Sequence, residues 1–319
     1  MINQLRMQDA IKGALWGLAL GDALGKPVEF LHLWRIKEDY GPEGITDLPE
    51  KAIWTDDTEM TFAVARALIK TYHRSVEEIS GQMAEEFVTW LDNPGFAPGN
   101  TCIRSVVLYK NSAIRDWRSY GVKDSKGCGS AMRVAPIGLL FADLKKLYAV
   151  AFNSSLITHA HPTALAAAVG AAYLVHLAVD KTDISRWPEL VKTFVQNIEE
   201  PGRSEFCAAI DRSVAALKIP NTEDAIRTIG KGWVGEEAVA IALYCCMKYA
   251  QPSDFKKMLR LAVNHDGDSD STACIAGGIM GAAHGYEALG SEMHQWTSRL
   301  RERERMEQII EALVKLIAP

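Results

Sequence analysis

Apolar residues recur at three- and four-residue spacing along most of this chain, and clean one-in, one-out alternation over four or more residues is hard to find. That period lines one face of a helix and denies a strand its two distinct faces, so the chain is committed to helices with few strands, if any. Residues 7–24 form the first such stretch. Ile11, Leu15, Leu18 and Ala19 share a stripe, while Gly13 and Gly17 leave room for a neighbour to approach closely. Residues 59–72 repeat the pattern with Met60, Val64 and Leu68. Helices are likewise expected over 76–91, 162–179, 187–198, 236–249, 271–289 and 299–317. Gly and Pro mark loops at 41–53, 93–100, 121–129 and 201–204. The charge cluster from Arg299 to Arg305 reads as a solvated helical face with pairs four residues apart.

One stretch needs a membrane test. No Asp, Glu, Lys or Arg occurs in residues 149–179. The stretch nevertheless carries His159, His161, Pro162 and His176, and its second half is rich in Ala rather than Leu, which fits a buried helix better than a span. Apolar residues make up 48% of the 319-residue chain, enough for a core without disulfides or structural zinc. A net charge of -5 excludes a generic role in coating nucleic acid. The six cysteines show neither CxxC pairs nor zinc spacing, and the first twenty residues show no apolar core behind a basic start. The expectation is one compact all-α domain over residues 1–319, a single-domain helical bundle that is cytoplasmic and monomeric and has no membrane or nucleic-acid partner.

Chemistry concentrates at two acidic helix starts, Trp54-Thr55-Asp56-Asp57-Thr58-Glu59 and His265-Asp266-Gly267-Asp268-Ser269-Asp270-Ser271-Thr272. Either could simply cap its helix, and Asp56 with Glu59 resembles a capping box. A cap, however, needs one short polar side chain. Here carboxylates are stacked, and they repel unless a cation sits between them. Carboxylates and hydroxyls are hard donors that suit Mg²⁺, Mn²⁺ or Ca²⁺. Asp266, Asp268 and Asp270 start like an EF-hand, but Ser271 and Gly277 occupy the positions where that loop needs Gly and Glu. A two-metal site assembled from both helix starts is the better reading. Glu29 follows a helix that ends in Gly and a turn at Pro27; alone it is an ordinary loop acid.

The ordered motifs GDALGKPVEF, WTDDTEM, GCGSAMR, THAHP and NHDGDSDSTACIAGGIMGAAHG resemble those of the ADP-ribosylglycohydrolases, from about Gly13 to Gly285. The resemblance implies an all-α fold and two bound Mg²⁺ or Mn²⁺ ions. Thr55, Asp56 and Asp57 would ligate from the first helix start, and Asp268, Asp270 and Ser271 from the second, with Glu29 beside them. Asp266 stands where the family commonly has Gly and is left as a structural acid. Gly127, Gly129, Ser130, Met132, His159 and Asn100 would contact ADP-ribose. The turn through Gly127 and Gly129 could present successive N–H groups to a phosphate, or be only a Gly-permitted turn. His159 and His161 are ligand contacts or satisfied buried histidines, and Arg133 meets a phosphate or a helix-packing acid. Cys128 replaces the Asn of many relatives, and Ala97-Pro98 replaces an acid that relatives carry in that loop.

The activity implied is hydrolysis of an N-glycosidic bond between ADP-ribose and a protein side chain, arginine first, with Glu29 or Asp56 handling the proton. The partners are then an ADP-ribosylated protein and the product ADP-ribose. Hydrolysis of another ribosyl bond (to serine, to nucleic acid or in a free nucleotide) is the nearer rival. A non-catalytic binding or structural protein is the more distant one, and such a protein should have lost acids that this chain retains.

Overall fold

In the computed structural model, which describes residues 4–317, helices form the architecture. The first third holds α1 (Gln4–Gly25), α2 (Leu33–Tyr40), α3 (Asp56–Thr71), α4 (Val76–Trp90) and α5 (Asn100–Asn111). The middle holds α6 (Ala135–Leu140), α7 (Leu144–Leu156), α8 (Pro162–Val179), α9 (Trp187–Phe194) and α10 (Gly202–Ala216). Then follow α11 (Thr222–Ile229), α12 (Gly235–Lys248), α13 (Phe255–Val263), α14 (Ser269–His284), α15 (Gly290–Thr297) and α16 (Arg303–Leu316). Among the described residues β pairing is confined to isolated bridges. The all-α expectation holds.

Two helices set the position of everything else. α1 places Gly13, Gly17 and Gly21 one turn apart, and α14 runs antiparallel with Gly281, Gly277 and Ala273 opposite them. A Cβ on Gly17 would lie 2.3 Å from the carbonyl oxygen of Gly277, and one on Gly277 would lie 2.1 Å from that of Gly17. The two backbones therefore touch, which only residues without side-chain bulk allow. The ladder continues to Gly25, whose absent Cβ would meet Asp270 Cα at 2.4 Å. In this way the end of α1 is locked against the acidic start of α14.

α8 is long and apolar enough by length and composition to cross a membrane, and 89% of it is buried inside the fold. Helices α6, α7, α9, α10, α12 and α14 surround it, so its lack of a polar face is satisfied by protein on every side. The six cysteines are unpaired.

Several expectations need correction. The loop expected at 201–204 is a helix start: Pro201 precedes α10 and Gly202 opens it, a place where Pro is well tolerated. α9 ends at Phe194, short of 198, and α14 ends at His284, where Gly285 takes φ 80°. The cluster from Arg299 to Arg305 is more than a solvated face. Arg303 does pair with Glu307 four residues on, but Arg305 reaches back to both oxygens of Glu59 on α3 at 2.7 Å, and Arg299 binds Asp47 at 3.0 Å. Helices α2, α5, α6, α7, α10, α11, α13 and α15 lie outside the expected stretches.

Candidate active site

Because α1 and α14 are locked together, the end of one and the start of the other meet at a single point, and α3 joins them there. Asp22, fully buried near the end of α1, makes that junction. Its carboxylate accepts from the Thr55 N–H at 2.8 Å, the Thr58 N–H at 3.1 Å and the Thr58 hydroxyl at 2.5 Å. It thus satisfies orphan N–H groups at the start of α3 from another helix and sits at the positive end of that helix's dipole.

With that work done by Asp22 and Thr55, the acids of α3 are free for other use. Thr55 is the N-cap, accepting from the Asp57 N–H at 3.3 Å. The capping box that Asp56 and Glu59 resemble in sequence is absent: Glu59 accepts from Trp54 Nε1 at 2.9 Å and from Arg305. Asp268 occupies the N-cap position of α14, but its side chain caps nothing. Asp57 Oδ1 and Glu29 Oε2 are buried and have no hydrogen-bond partner. Oxygens of Glu29, Asp268 and Asp270 lie within 4.8 Å of one another. Trans oxygens on a six-coordinate Mg²⁺ are about 4.2 Å apart, so the cluster is near the span of one cation.

The electrostatics agree with that geometry. Burial raises Asp22 to about 6, against the opposing hydrogen bonds from Thr58 and Thr55. Burial, and then repulsion from Asp268 and Asp22, raises Glu29 to about 8. Burial and neighbouring acids hold Asp56, Asp57 and Asp270 well above the usual carboxylate range, and burial raises Asp268. Such a set is under strain without a cation. Its donors are hard oxygens with lone pairs to spare, and they fit Mg²⁺ or Mn²⁺.

Glu29, Asp56, Asp57 and Asp268 line a cleft of about 210 Å³ together with Asn100, Gly127, Cys128, Gly129, Met132, His159 and Ser271, whereas Asp22 and Asp270 are not among its lining residues. Its rim carries Phe30 and Trp233, 64% and 38% exposed, stacked at 5.3 Å between ring centroids. Phe30 adopts φ 67°, a left-handed conformation unusual for a bulky residue. One wall is the turn through Gly127 and Gly129, and two of the N–H groups in that turn already have acceptors. The Cys128 N–H already donates to the Trp233 carbonyl at 3.3 Å, and the Gly127 N–H to Ser125 Oγ at 3.4 Å. What the glycines provide is space for a ring. A Cβ on either would come within 3.2 Å of the His159 imidazole. That ring bonds to Thr158 Oγ1 at 2.8 Å, and burial together with Arg133 lowers its pKa to about 3, so it is neutral.

Arg133 has no acid among its hydrogen-bond partners and is not among the cleft residues. Fully buried, it donates to the Ser154 carbonyl at 2.5 Å, to Thr158 Oγ1 at 2.9 Å and to the Gly129 carbonyl at 3.2 Å, and it lies over Phe87. It pins the glycine turn to the end of α7. His161 caps α8 by accepting from the Thr163 N–H. Ser130 is not among the cleft residues; its hydroxyl accepts from Ser155. Thr55 is fully buried and is not among the cleft residues, and its hydroxyl donates to Asp57 Oδ2 at 3.3 Å. Asp266 accepts from the Leu33 N–H at 2.6 Å at the start of α2, a structural role. Sequence reasoning missed Asp22, whose only signal is an acid inside an otherwise apolar helix, and it missed the aromatic rim.

A family model described as ADP-ribosylglycohydrolase matches residues 3–319. The ADP-ribosyl-[dinitrogen reductase] glycohydrolase of Rhodospirillum rubrum is 30% identical, covering 97% of each chain. The ADP-ribosylhydrolase ARH3 of Mus musculus is 25% identical, over 93% of this chain and 90% of that one. A solved structure titled ADP-ribosylglycohydrolase-related protein complex matches the fold with a TM-score of 0.75 at 24% identity, covering 98% of this chain and 100% of that one.

Proposed function

Since the chain belongs to the ADP-ribosylglycohydrolase family, whose members are hydrolases of glycosidic bonds, we propose that it removes ADP-ribose from protein side chains, arginine foremost. The observation that carries this reading is the buried acidic set with unpartnered oxygens opening onto the cleft. Arginine is favoured over serine or a nucleic acid by the mouth of the cleft. Phe30 and Trp233, stacked on each other at the rim, offer an aromatic surface suited to a guanidinium, and Glu29 lines the same cleft.

Asp56, Asp57, Asp268 and Asp270, with the hydroxyls of Thr55 and Ser271, would hold two Mg²⁺ or Mn²⁺ ions. Such ions, when bound, supply charge stabilisation and acidify a bound water. The protein's own groups do the rest. The acids place negative charge where an oxocarbenium-like carbon develops positive charge. The glycine turn and the neutral His159 shape a wall that admits a flat ligand. Glu29, which lines the cleft and has a buried, unpartnered Oε2, is placed to move a proton between the attacking water and the departing side chain, with Asp56 as the alternative.

The test is a panel of arginine-, serine- and nucleic-acid-linked ADP-ribose, incubated with and without EDTA and followed by mass. Release of ADP-ribose from the arginine conjugate, abolished by EDTA, is the expected result. Release from serine or nucleic acid alone would move the assignment to that linkage.

A further inference from the structure

Glu29 lies midway along a strap of chain whose two ends rest on a single segment. At one end Gly25 packs on Asp270, its absent Cβ only 2.4 Å from Asp270 Cα. At the other end the Leu33 N–H donates to Asp266 Oδ1 at 2.6 Å. Between these supports a Glu29 oxygen lies within 4.8 Å of oxygens of Asp268 and Asp270. The segment from Asp266 to Asp270 therefore holds the strap at both ends and faces Glu29 in between. The support at Asp266 is supplied entirely by tertiary structure. Leu33 opens α2, and its N–H is one of the groups that a helix leaves without a partner. His32, the N-cap residue, makes no side-chain bond to that helix, so the acceptor comes from Asp266, 233 residues away. His32 Nδ1 and Arg227 Nε stand 3.6 and 4.0 Å from the same carboxylate. Inside the strap Phe30 holds φ 67°, a left-handed conformation that costs free energy in a residue with a side chain, and its ring stacks on Trp233. Strained backbone persists only where its surroundings hold it. With the Leu33 end released, Phe30 is free to relax to negative φ, which swings the adjoining Glu29 carboxylate away from Asp268 and Asp270.

We infer that Asp266 is a positioning residue: its hydrogen bond to the Leu33 N–H holds the strap in place and so fixes Glu29 against the acids at the start of α14. The inference deepens the proposed function and rests on Glu29 handling the proton there. Asp266 is not among the cleft residues and acts only through the strap. Asp268 does not depend on it, because the Asp268 N–H donates separately to the Lys231 carbonyl at 2.9 Å.

The test reads turnover and hydrogen exchange in three variants, after circular dichroism has checked that each folds. Asp266→Ala removes the acceptor. Leu33→Pro removes the donor, at the first helical position, where Pro is tolerated, and after a residue already extended at φ -78° and ψ 147°. Asp266→Asn keeps an acceptor oxygen. At saturating Mn²⁺, Asp266→Ala and Leu33→Pro should each lower kcat by about 10–100-fold, the scale of a small misplacement of a reacting group. Asp266→Asn should stay near wild type. Asp266→Ala and Leu33→Pro combined should lower kcat no further than either alone, and neither should slow Glu29→Gln further, since the group they position is already gone. Exchange of the amides in residues 26–32 should quicken in Asp266→Ala and Leu33→Pro but not in Asp266→Asn, while residues 269–284 stay protected. Additive losses, or an Asp266→Ala change that slows Glu29→Gln further, overturn positioning through Glu29. Unchanged exchange at 26–32 overturns the strap. If wild type releases ADP-ribose from no conjugate, the proposed function fails, and the exchange result still decides the strap by itself.

Discussion

At the scale of single residues, the site is defined by oxygens that have nothing to bond. Asp57 Oδ1 and Glu29 Oε2 are both buried orphans, yet they answer different tests. Asp57→Asn keeps the shape and removes one charge from a mutually repelling set. Metal-free Asp57→Asn should therefore melt at or above metal-free wild type, while its stabilisation by Mn²⁺ is lost; scanning calorimetry reads both. A variant that keeps the full metal-induced shift would remove Asp57 from the site. Glu29→Gln keeps size and hydrogen bonding but loses the basic form. Turnover should fall by about 10²–10⁴-fold with ADP-ribose affinity little changed. Unchanged turnover would reduce Glu29 to a loop acid, and a joint loss of metal and ADP-ribose affinity would make it a ligand. Most of the candidate acids were legible because they are dense in local sequence. Asp22 was not, because its partners Thr55 and Thr58 lie more than thirty residues away and meet it only after α1 and α3 pack. The partner of the Cys128 N–H was hidden for the same reason: its acceptor is the Trp233 carbonyl, supplied by a distant loop.

At the scale of elements, the α1–α14 pair is the part on which the site depends. Long helices such as α1, α8 and α14 were readable because each is a long run of apolar and small residues without a break. Short ones such as α2, α11 and α13 carry too few turns for the period to stand out, and α10 hid behind a Pro-Gly start. The close approach of α1 was foreseeable from Gly13 and Gly17, whereas its partner was not, since register between two helices is a tertiary property. Gly277→Val places side-chain atoms where the Gly17 carbonyl already sits. Overpacking usually costs about 1–3 kcal/mol, and here backbone rather than a movable side chain must yield, so the loss should be at least about 3 kcal/mol. A denaturant melt reads it. Stability within a few tenths of wild type would mean that the two helices are not in backbone contact. Gly278, one residue on, has ordinary space around its missing Cβ, and Gly278→Ala should be tolerated.

At the scale of the whole molecule, the fold carries an acid cluster that opposes folding as the pH rises. Asp22 and Glu29 are raised to about 6 and about 8, so the folded state holds protons that the unfolded chain has released. Their contribution to stability is fully present below the ordinary carboxylate range and is lost as pH rises through those values. The buried neutral histidines His159 and His265, lowered to about 3 and about 4, act in the opposite sense: their contribution is present above pH about 6.5 and is lost as pH falls. The histidines are common to metal-free and metal-bound protein and cancel in the difference, which leaves the acids. Stabilisation by saturating Mn²⁺ should therefore grow between about pH 5 and pH 8, as metal replaces protons. A shift of constant size across that range would detach metal binding from the acid cluster.

The central claim is that these acids form one metal-dependent hydrolytic centre. The most direct measurement is ADP-ribose release from an arginine-ADP-ribosylated protein in a single turnover, using enzyme stripped with EDTA and then resupplied with Mn²⁺. The account predicts no release before metal, full release after it, and none at either stage for Asp270→Ala. Release at full rate by the stripped enzyme would contradict it.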